Sequence, residues 1–411
     1  MTPMRLAITG IGMVTPWGLD RDRSWQGLLS GKSAIRWLST FRSGTYFGGE
    51  VPCQTEPEGR LISFARRAAA QAVQQSGLAP GELQTAGCVF GTSKIEMTGF
   101  DRLAENFAGG GVEPDGETVW RVLSPSGAAA AVARDWGCEA ALLCPVAACA
   151  TGLVSLLRGA DLIRSGHCPV VIAGSADAAL HPGLLNSYRR LGVLARPGDD
   201  PAGCCRPFDR DRTGFAVGEG GASFVLEDWN YARARGATLL AEFVGGELGS
   251  DVSGLTSVDA SGDALAAVVT RLLRRVSMTA EEIDCVSLHG TATRMNDEAE
   301  AAAMRTLFQG CRNRPFAFGL KGAIGHLMGA AGAVEAAASV LSLERQTLLP
   351  TCNVGEPDGE LGVTLSKTAK SQSLDTILKV SLGFGGHVAA GIFRRVERIS
   401  TQSHSPPDHR H

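Results

Sequence analysis

From end to end the chain alternates short apolar runs with longer stretches of helical periodicity, and this constrains its architecture more than any other feature. Leu6 to Gly10, Ala86 to Phe90, Ala140 to Ala147, Val170 to Ala173, Ser223 to Leu226, Leu239 to Val244 and Cys285 to Leu288 have the length and composition of buried strands, as do the closing runs Thr376 to Leu382 and Val388 to Phe393. Between them, Leu61, Phe64, Ala65, Ala68, Ala69, Ala72 and Val73 recur at helical spacing, with Arg60, Arg66 and Arg67 off the stripe and Gly77 as the stop. Further helices are predicted over Val119 to Trp136, broken at Pro125, and over Asp263 to Arg275, Glu298 to Leu307 and the small-residue stretch Gly329 to Arg345. Strands that alternate with helices give α/β layers, not a bundle or a sandwich. No repeat is visible in the sequence, so any duplication has to be structural.

Composition narrows the class further. The longest apolar runs fall short of the roughly 20 residues that cross a bilayer, and no signal segment opens the chain, so a cytoplasmic location is expected. A net charge of −3 argues against general attraction to nucleic acid, though a local basic patch can still dock an acidic protein. The 11 cysteines are an odd number without C-x-x-C spacing, which points to reduced thiols and away from disulfides or a metal cage. Residues 398–411, rich in Ser, Pro and His without apolar period, read as a disordered tail.

Three segments carry chemistry. Cys149 stands where an apolar strand stops and the helix bearing Leu153, Leu156, Leu157, Ala160 and Ile163 begins, among the small residues Ala147, Ala148, Ala150 and Gly152. Most cysteines are merely small buried hydrophobes, but a thiol at a helix start meets free N–H groups and the positive end of the dipole, which favour the thiolate. His289-Gly290-Thr291-Ala292-Thr293 follows a strand directly, and Lys321-Gly322-Ala323-Ile324-Gly325-His326 precedes Gly329-Ala330-Ala331-Gly332. For either histidine alone, a satisfied core residue is the commoner reading. Neither has a partner at metal-ligand spacing, and no metal site is expected.

Taken together, V-A-A-C-A-T-G at Cys149, H-G-T-A-T at His289, K-G-A-I-G-H-L-M-G-A-A-G at Lys321 and His326, and G-F-G-G at Phe384 resemble the elongating β-ketoacyl-acyl carrier protein synthases. The resemblance runs from Ile8-Thr9-Gly10 through Arg206-Pro207-Phe208-Asp209 to the closing motif. It implies a thiolase-type fold: two βαβαβαββ halves in five layers, αβαβα, with the halves at 1–235 and 236–397. It also implies decarboxylative condensation: Cys149 holds the acyl group, His289 and His326 donate hydrogen bonds to the enolate oxygen, and the N–H groups of Cys149 and Phe384 hold the tetrahedral oxyanion. Thr291 and Thr293 match positions that bind the pantetheine arm; Lys321, Asp297 and Glu335 match a charged network behind the histidines; Arg206 resembles a position of the family's docking surface, and Arg66 and Arg67, beside the Leu61 to Val73 stripe, are docking candidates with it. No cofactor of its own is implied, because the partner acyl carrier protein brings the phosphopantetheine. The expected assembly is a homodimer, or a heterodimer with a chain-length factor.

Some positions depart from the family pattern. Val380, Leu382, His387 and Val388 replace the usual Asn, Phe, Thr and Asn, and Gly91-Thr92-Ser93-Lys94 stands where a Gly-rich run is usual. These substitutions bear on which acyl chain is taken. A non-catalytic chain-length factor is the alternative reading, against which Cys149 and both histidines stand.

Overall fold

The computed structural model describes residues 4–39, 44–54, 58–110 and 115–397; the 398–411 tail predicted above lies outside them. In chain order the first five strands of the main sheet are β1 (Leu6–Val14), β2 (Gly87–Gly91), β3 (Leu142–Leu143), β4 (Val170–Ala178) and β5 (Glu219–Asp228). The second group of five is β6 (Ala241–Ser250), β7 (Cys285–Ser287), β8 (Phe316–Phe318), β9 (Thr376–Gly383) and β10 (His387–Arg395); an eleventh, two-residue strand, Thr364–Leu365, pairs parallel on the outer side of β8 and stands apart from both groups. Hydrogen bonding orders them β3-β2-β4-β5-β1 and β8-β7-β9-β10-β6, with β1 and β6 adjacent. Counted within each group, both orders are third, second, fourth, fifth, first. The pairing directions repeat as well: β2 is parallel to β3 and β4, and β7 to β8 and β9, while the other pairs in each group are antiparallel. The duplication that the sequence hides is therefore plain in the topology. Only Ala7 with Glu242 and Ile8 with Ala241 pair across the join.

Helices fill three layers around these sheets. Outside the first lie α1 (Arg60–Ser76) and α2 (Gly127–Trp136); between the sheets lie α3 (Thr151–Arg164) and, from the second half, α6 (Ala331–Arg345); outside the second lie α4 (Asp263–Arg275) and α5 (Arg294–Leu307). Residues 331–343 of α6 are buried on every side, as a helix sandwiched between two sheets must be. Its Ala and Gly content lets α3 approach closely: a Cβ on Gly152 would overlap the backbone nitrogen of Ala333, and one on Gly332 would lie 2.7 Å from that of Leu153. Gly77 closes α1 in the left-handed conformation, φ 67°.

Two local expectations are corrected. The run Ala140 to Ala147 is not a buried strand: only Leu142 and Leu143 pair, against β2, and both are exposed. Among the described residues β3 is the sheet edge, with no strand on its outer side, and its apolar residues are exposed. A helix over Met97–Ala108 was also missed, although Met97, Phe100, Leu103, Ala104 and Phe107 recur at helical spacing; of these only Leu103 is buried. Among the described residues no helix is long and apolar enough to cross a membrane.

Candidate active site

The main cavity, about 610 Å³, brings together Cys149 from the first half and His289 and His326 from the second. Cys149 lies in a 3-10 turn, Ala148–Ala150, that precedes α3. Ala148 adopts φ 47°, an uncommon conformation for a residue with a side chain. The turn is clamped by Thr151, whose Oγ1 accepts from the Ala147 N–H at 2.9 Å and donates to the Ala148 carbonyl at 2.7 Å. Gly383, at the end of β9, presses on the same turn; a Cβ there would lie 2.7 Å from the Ala147 oxygen. That contact brings Phe384 to the nucleophile, with its N–H on the side of the Cys149 sulfur, where it favours the thiolate.

Both imidazoles are buried, and their tautomers follow from their second partners. His326 Nε2 lies 3.1 Å from Cys149 Sγ, while its Nδ1 accepts from the Met328 N–H at 3.3 Å. An accepting Nδ1 leaves the proton on Nε2, so the ring presents N–H toward the sulfur. His289 Nδ1 faces the Lys321 ammonium at 3.3 Å, a donor, which again leaves Nε2 as the N–H. The two rings meet edge to face with centroids 5.6 Å apart. Burial and the nearby lysine ammoniums push both histidines well below the ordinary 6.5, keeping them neutral.

Behind His289, Lys321 is held by the His289 carbonyl and by Glu335 at 2.6 Å. A second ammonium, Lys379 from β9, reaches the other Glu335 oxygen at 2.8 Å. Asp297 belongs to a neighbouring cluster: it accepts from the N–H groups of Phe208 at 2.7 Å and Ala292 at 3.2 Å and faces Arg212 at 3.6 Å. Burial raises its carboxyl to about 6. Glu300 does for the His289 turn what Asp297 does for the Phe208 turn, accepting from the N–H groups of His289 at 2.5 Å and Gly290 at 2.7 Å. Lys379, Glu300 and Arg212 were not singled out from the sequence. Only the i, i+3 spacing of Asp297 and Glu300 at the start of α5 hinted at a pair facing the His289 loop.

Burial reverses one sequence expectation. The helix start was expected to favour the thiolate, but desolvation raises the Cys149 thiol above its ordinary 9.0, and Lys94, Lys321 and the Phe384 N–H only partly offset it. All 11 cysteines are free. Thr291, Thr293 and Phe384 line the cavity, as do the departures Leu382, His387 and Val388. The arginines do not: Arg66 pairs with Glu58 and Asp135, Arg67 donates to Ser63 at 3.3 Å, and Arg206 donates to the Gly203 carbonyl and faces Asp209 at 3.6 Å.

A thiol that shares one cavity with two neutral imidazoles, one of them 3.1 Å from its sulfur, at the seam of a duplicated α/β fold, defines a condensing acyltransferase of thiolase type. The Beta-ketoacyl synthase N-terminal domain matches residues 4–232 and the C-terminal domain residues 240–355, and the chain belongs to the β-ketoacyl synthase family. It is 33% identical to the tetracenomycin polyketide synthase ketoacyl synthase alpha subunit of Streptomyces glaucescens, over 95% of this chain and 97% of that one. It is 30% identical to a 3-oxoacyl-[acyl-carrier-protein] synthase 2 of Mycobacterium bovis, again over 95% and 97%. Among solved structures it resembles a type II polyketide ketosynthase in complex with its acyl carrier protein (TM-score 0.88, 27% identity, covering 96% of this chain and 100% of that one). It also resembles the ishigamide ketosynthase/chain length factor (TM-score 0.87, 28% identity, with the same coverages).

Proposed function

We propose that Cys149, His289 and His326 divide between them a decarboxylative Claisen condensation with malonyl-acyl carrier protein, in fatty acid or type II polyketide synthesis. The observation that carries this reading is the Nε2–H of His326 at 3.1 Å from the Cys149 sulfur, with the His289 ring edge to face beside it in the same cavity. Cys149 attacks the carbonyl carbon of a carrier-bound acyl thioester, the pantetheine thiol leaves with the proton, and the acyl group stays on sulfur. A malonyl thioester then takes its place. Its thioester oxygen accepts from His289 and His326, so that loss of carbon dioxide leaves an enolate stabilised by two fixed, dry donors. The enolate carbon attacks the acyl-Cys149 carbonyl, whose oxyanion is held by the N–H groups of Cys149 and Phe384. Collapse breaks the carbon–sulfur bond and releases the β-ketoacyl chain on its carrier, and the expelled Cys149 thiolate takes up a proton from solvent to return to the thiol.

Thr291 and Thr293 would hold the pantetheine arm, which the carrier protein supplies, so the enzyme needs no cofactor of its own. Lys321, with Glu335, fixes the tautomer of His289, and Asp297 fixes the turn around Phe208. Arg66, Arg67 and Arg206 are the proposed docking cations for the acidic carrier, and reduced thiols support a cytoplasmic setting. The outward-facing edge β3 is the proposed contact with a second subunit, identical or a chain-length factor. The halves divide at 235/236.

The test separates the half-reactions. Cys149→Ala should abolish condensation yet still release carbon dioxide from malonyl-acyl carrier protein. His326→Ala should keep acylation of Cys149 but lose decarboxylation by roughly 100-fold, as expected for one oxyanion donor. Acylation lost and decarboxylation kept in the histidine variant would reverse these roles.

A further inference from the structure

The segment Gly91-Thr92-Ser93-Lys94, which departs from the family pattern, forms part of the cavity wall. It is locked to the active site from behind: Asp177, fully buried on β4, accepts from the Gly329 N–H at 2.9 Å, from the Ser93 hydroxyl and from the Lys94 ammonium at 3.5 Å. Gly329 lies three residues beyond His326, so Lys94 is registered against the catalytic imidazole. Its side chain keeps only 14% exposure, and its ammonium also donates to Ser93 at 2.5 Å and lies near the Tyr188 hydroxyl. Tyr188 lines the same cavity. Its ring packs edge-on against Phe215, which packs edge-on against His326 with centroids 5.1 Å apart.

This arrangement has a consequence for whatever chain is attached to Cys149. The Lys94 ammonium beside it favours the Tyr188 oxygen facing the cation, which leaves the phenol O–H to donate and makes it a stronger donor. A saturated hydrocarbon laid against this wall would strip water from an ammonium and a phenol and give nothing in return. A chain carrying an oxygen would supply the missing acceptor. Asp177 already balances the Lys94 charge, so a neutral carbonyl or hydroxyl oxygen suits the site better than a second carboxylate.

Resting on the condensing role proposed above, we infer that Lys94 and Tyr188 are specificity-determining residues that select acyl groups bearing a keto or hydroxyl oxygen over saturated chains of the same length. A site built to hydrogen-bond an oxygen discriminates strongly against the analogue that lacks it, because its own polar groups are then left unpaired.

The experiment offers the purified protein pantetheine thioesters of hexanoyl, 3-oxohexanoyl, 5-oxohexanoyl and adipoyl groups in competition, and weighs the acyl-Cys149 formed by intact mass spectrometry. At least one oxo chain should outcompete hexanoyl by about tenfold or more. Lys94→Met and Tyr188→Phe should each bring that ratio to within about twofold; the phenylalanine keeps the ring against Phe215, so it tests the hydroxyl even if the methionine variant does not fold. Equal labelling by hexanoyl and both oxo chains, preference for adipoyl, or a ratio unchanged in the Tyr188→Phe protein would overturn the inference. If no thioester acylates Cys149 and no carbon dioxide leaves malonyl-pantetheine, the condensing role itself fails, and this inference with it; acylation without preference defeats the inference alone.

Discussion

At the residue scale, the site's protonation states run opposite to those of a thiolate–imidazolium pair. Burial holds the Cys149 proton on sulfur above the ordinary 9.0, and burial with neighbouring ammoniums holds both histidines neutral to well below 6.5. The sign for each group is then fixed. A raised thiol pKa means that the thiolate fraction grows about tenfold per pH unit throughout the neutral range, so iodoacetamide labelling of Cys149, read by peptide mapping, should climb from about pH 6 to 9 without a plateau. A lowered imidazole pKa means that the Nε2–H donors are unchanged over the same range, so malonyl decarboxylation by Cys149→Ala should stay nearly flat. A labelling plateau with a midpoint near neutrality would show an ion pair instead. The Cys-His-His set was legible in the sequence because each residue sits at the end of a strand or turn written in small residues. Lys379 and Lys94 were not, because their meaning depends on Glu335, Asp177 and Tyr188, which lie 44 to 94 positions away along the chain.

Elements succeed or fail in a sequence reading according to how one-sided their burial is. The stripe of α1 has a single buried face and was read residue by residue, and Asp263–Arg275 was placed at its observed bounds. The edge β3 misled because its apolar run faces outward, and Met97–Ala108 was passed over within a stretch read as Gly-rich, although its apolar residues recur at helical spacing and leave Phe100 and Phe107 exposed. The crossing of α3 with α6 depends on the lack of side chains at Gly152 and Gly332, and it sets the position of the Cys149 turn. Gly152→Ala should therefore cost roughly 1–3 kcal/mol in urea unfolding, since the new methyl meets backbone that cannot rotate away. Gly77→Ala is the control. Its Cβ meets nothing, and the left-handed φ alone should cost about 1 kcal/mol. Equal losses at the two positions would mean that the crossing has slack.

For the whole molecule, the duplication was hidden because each half keeps its strand order and pairing directions while its side chains answer to different neighbours; topology survives where sequence similarity does not. The same topology leaves one edge unfinished. Leu142 and Leu143 are 49% and 39% exposed on β3, and α2 connects this edge through Gly116–Leu123 to Met97–Ala108, which expose Trp120, Leu123, Phe100 and Phe107. An apolar, unpaired strand edge flanked by exposed aromatic residues is a surface that natural proteins cover. A second subunit placed by a two-fold axis would pair its own β3 here and continue the sheet, burying the patch on both chains at once. Leu142→Lys with Leu143→Lys should then convert a species of twice the chain mass to the single-chain mass in sedimentation equilibrium, because like charges would face each other across the axis. If the chain is instead single alone and pairs only when co-expressed with a chain-length-factor-like subunit, the same double substitution should abolish that pairing. An association that survives both lysines would place the contact on another face.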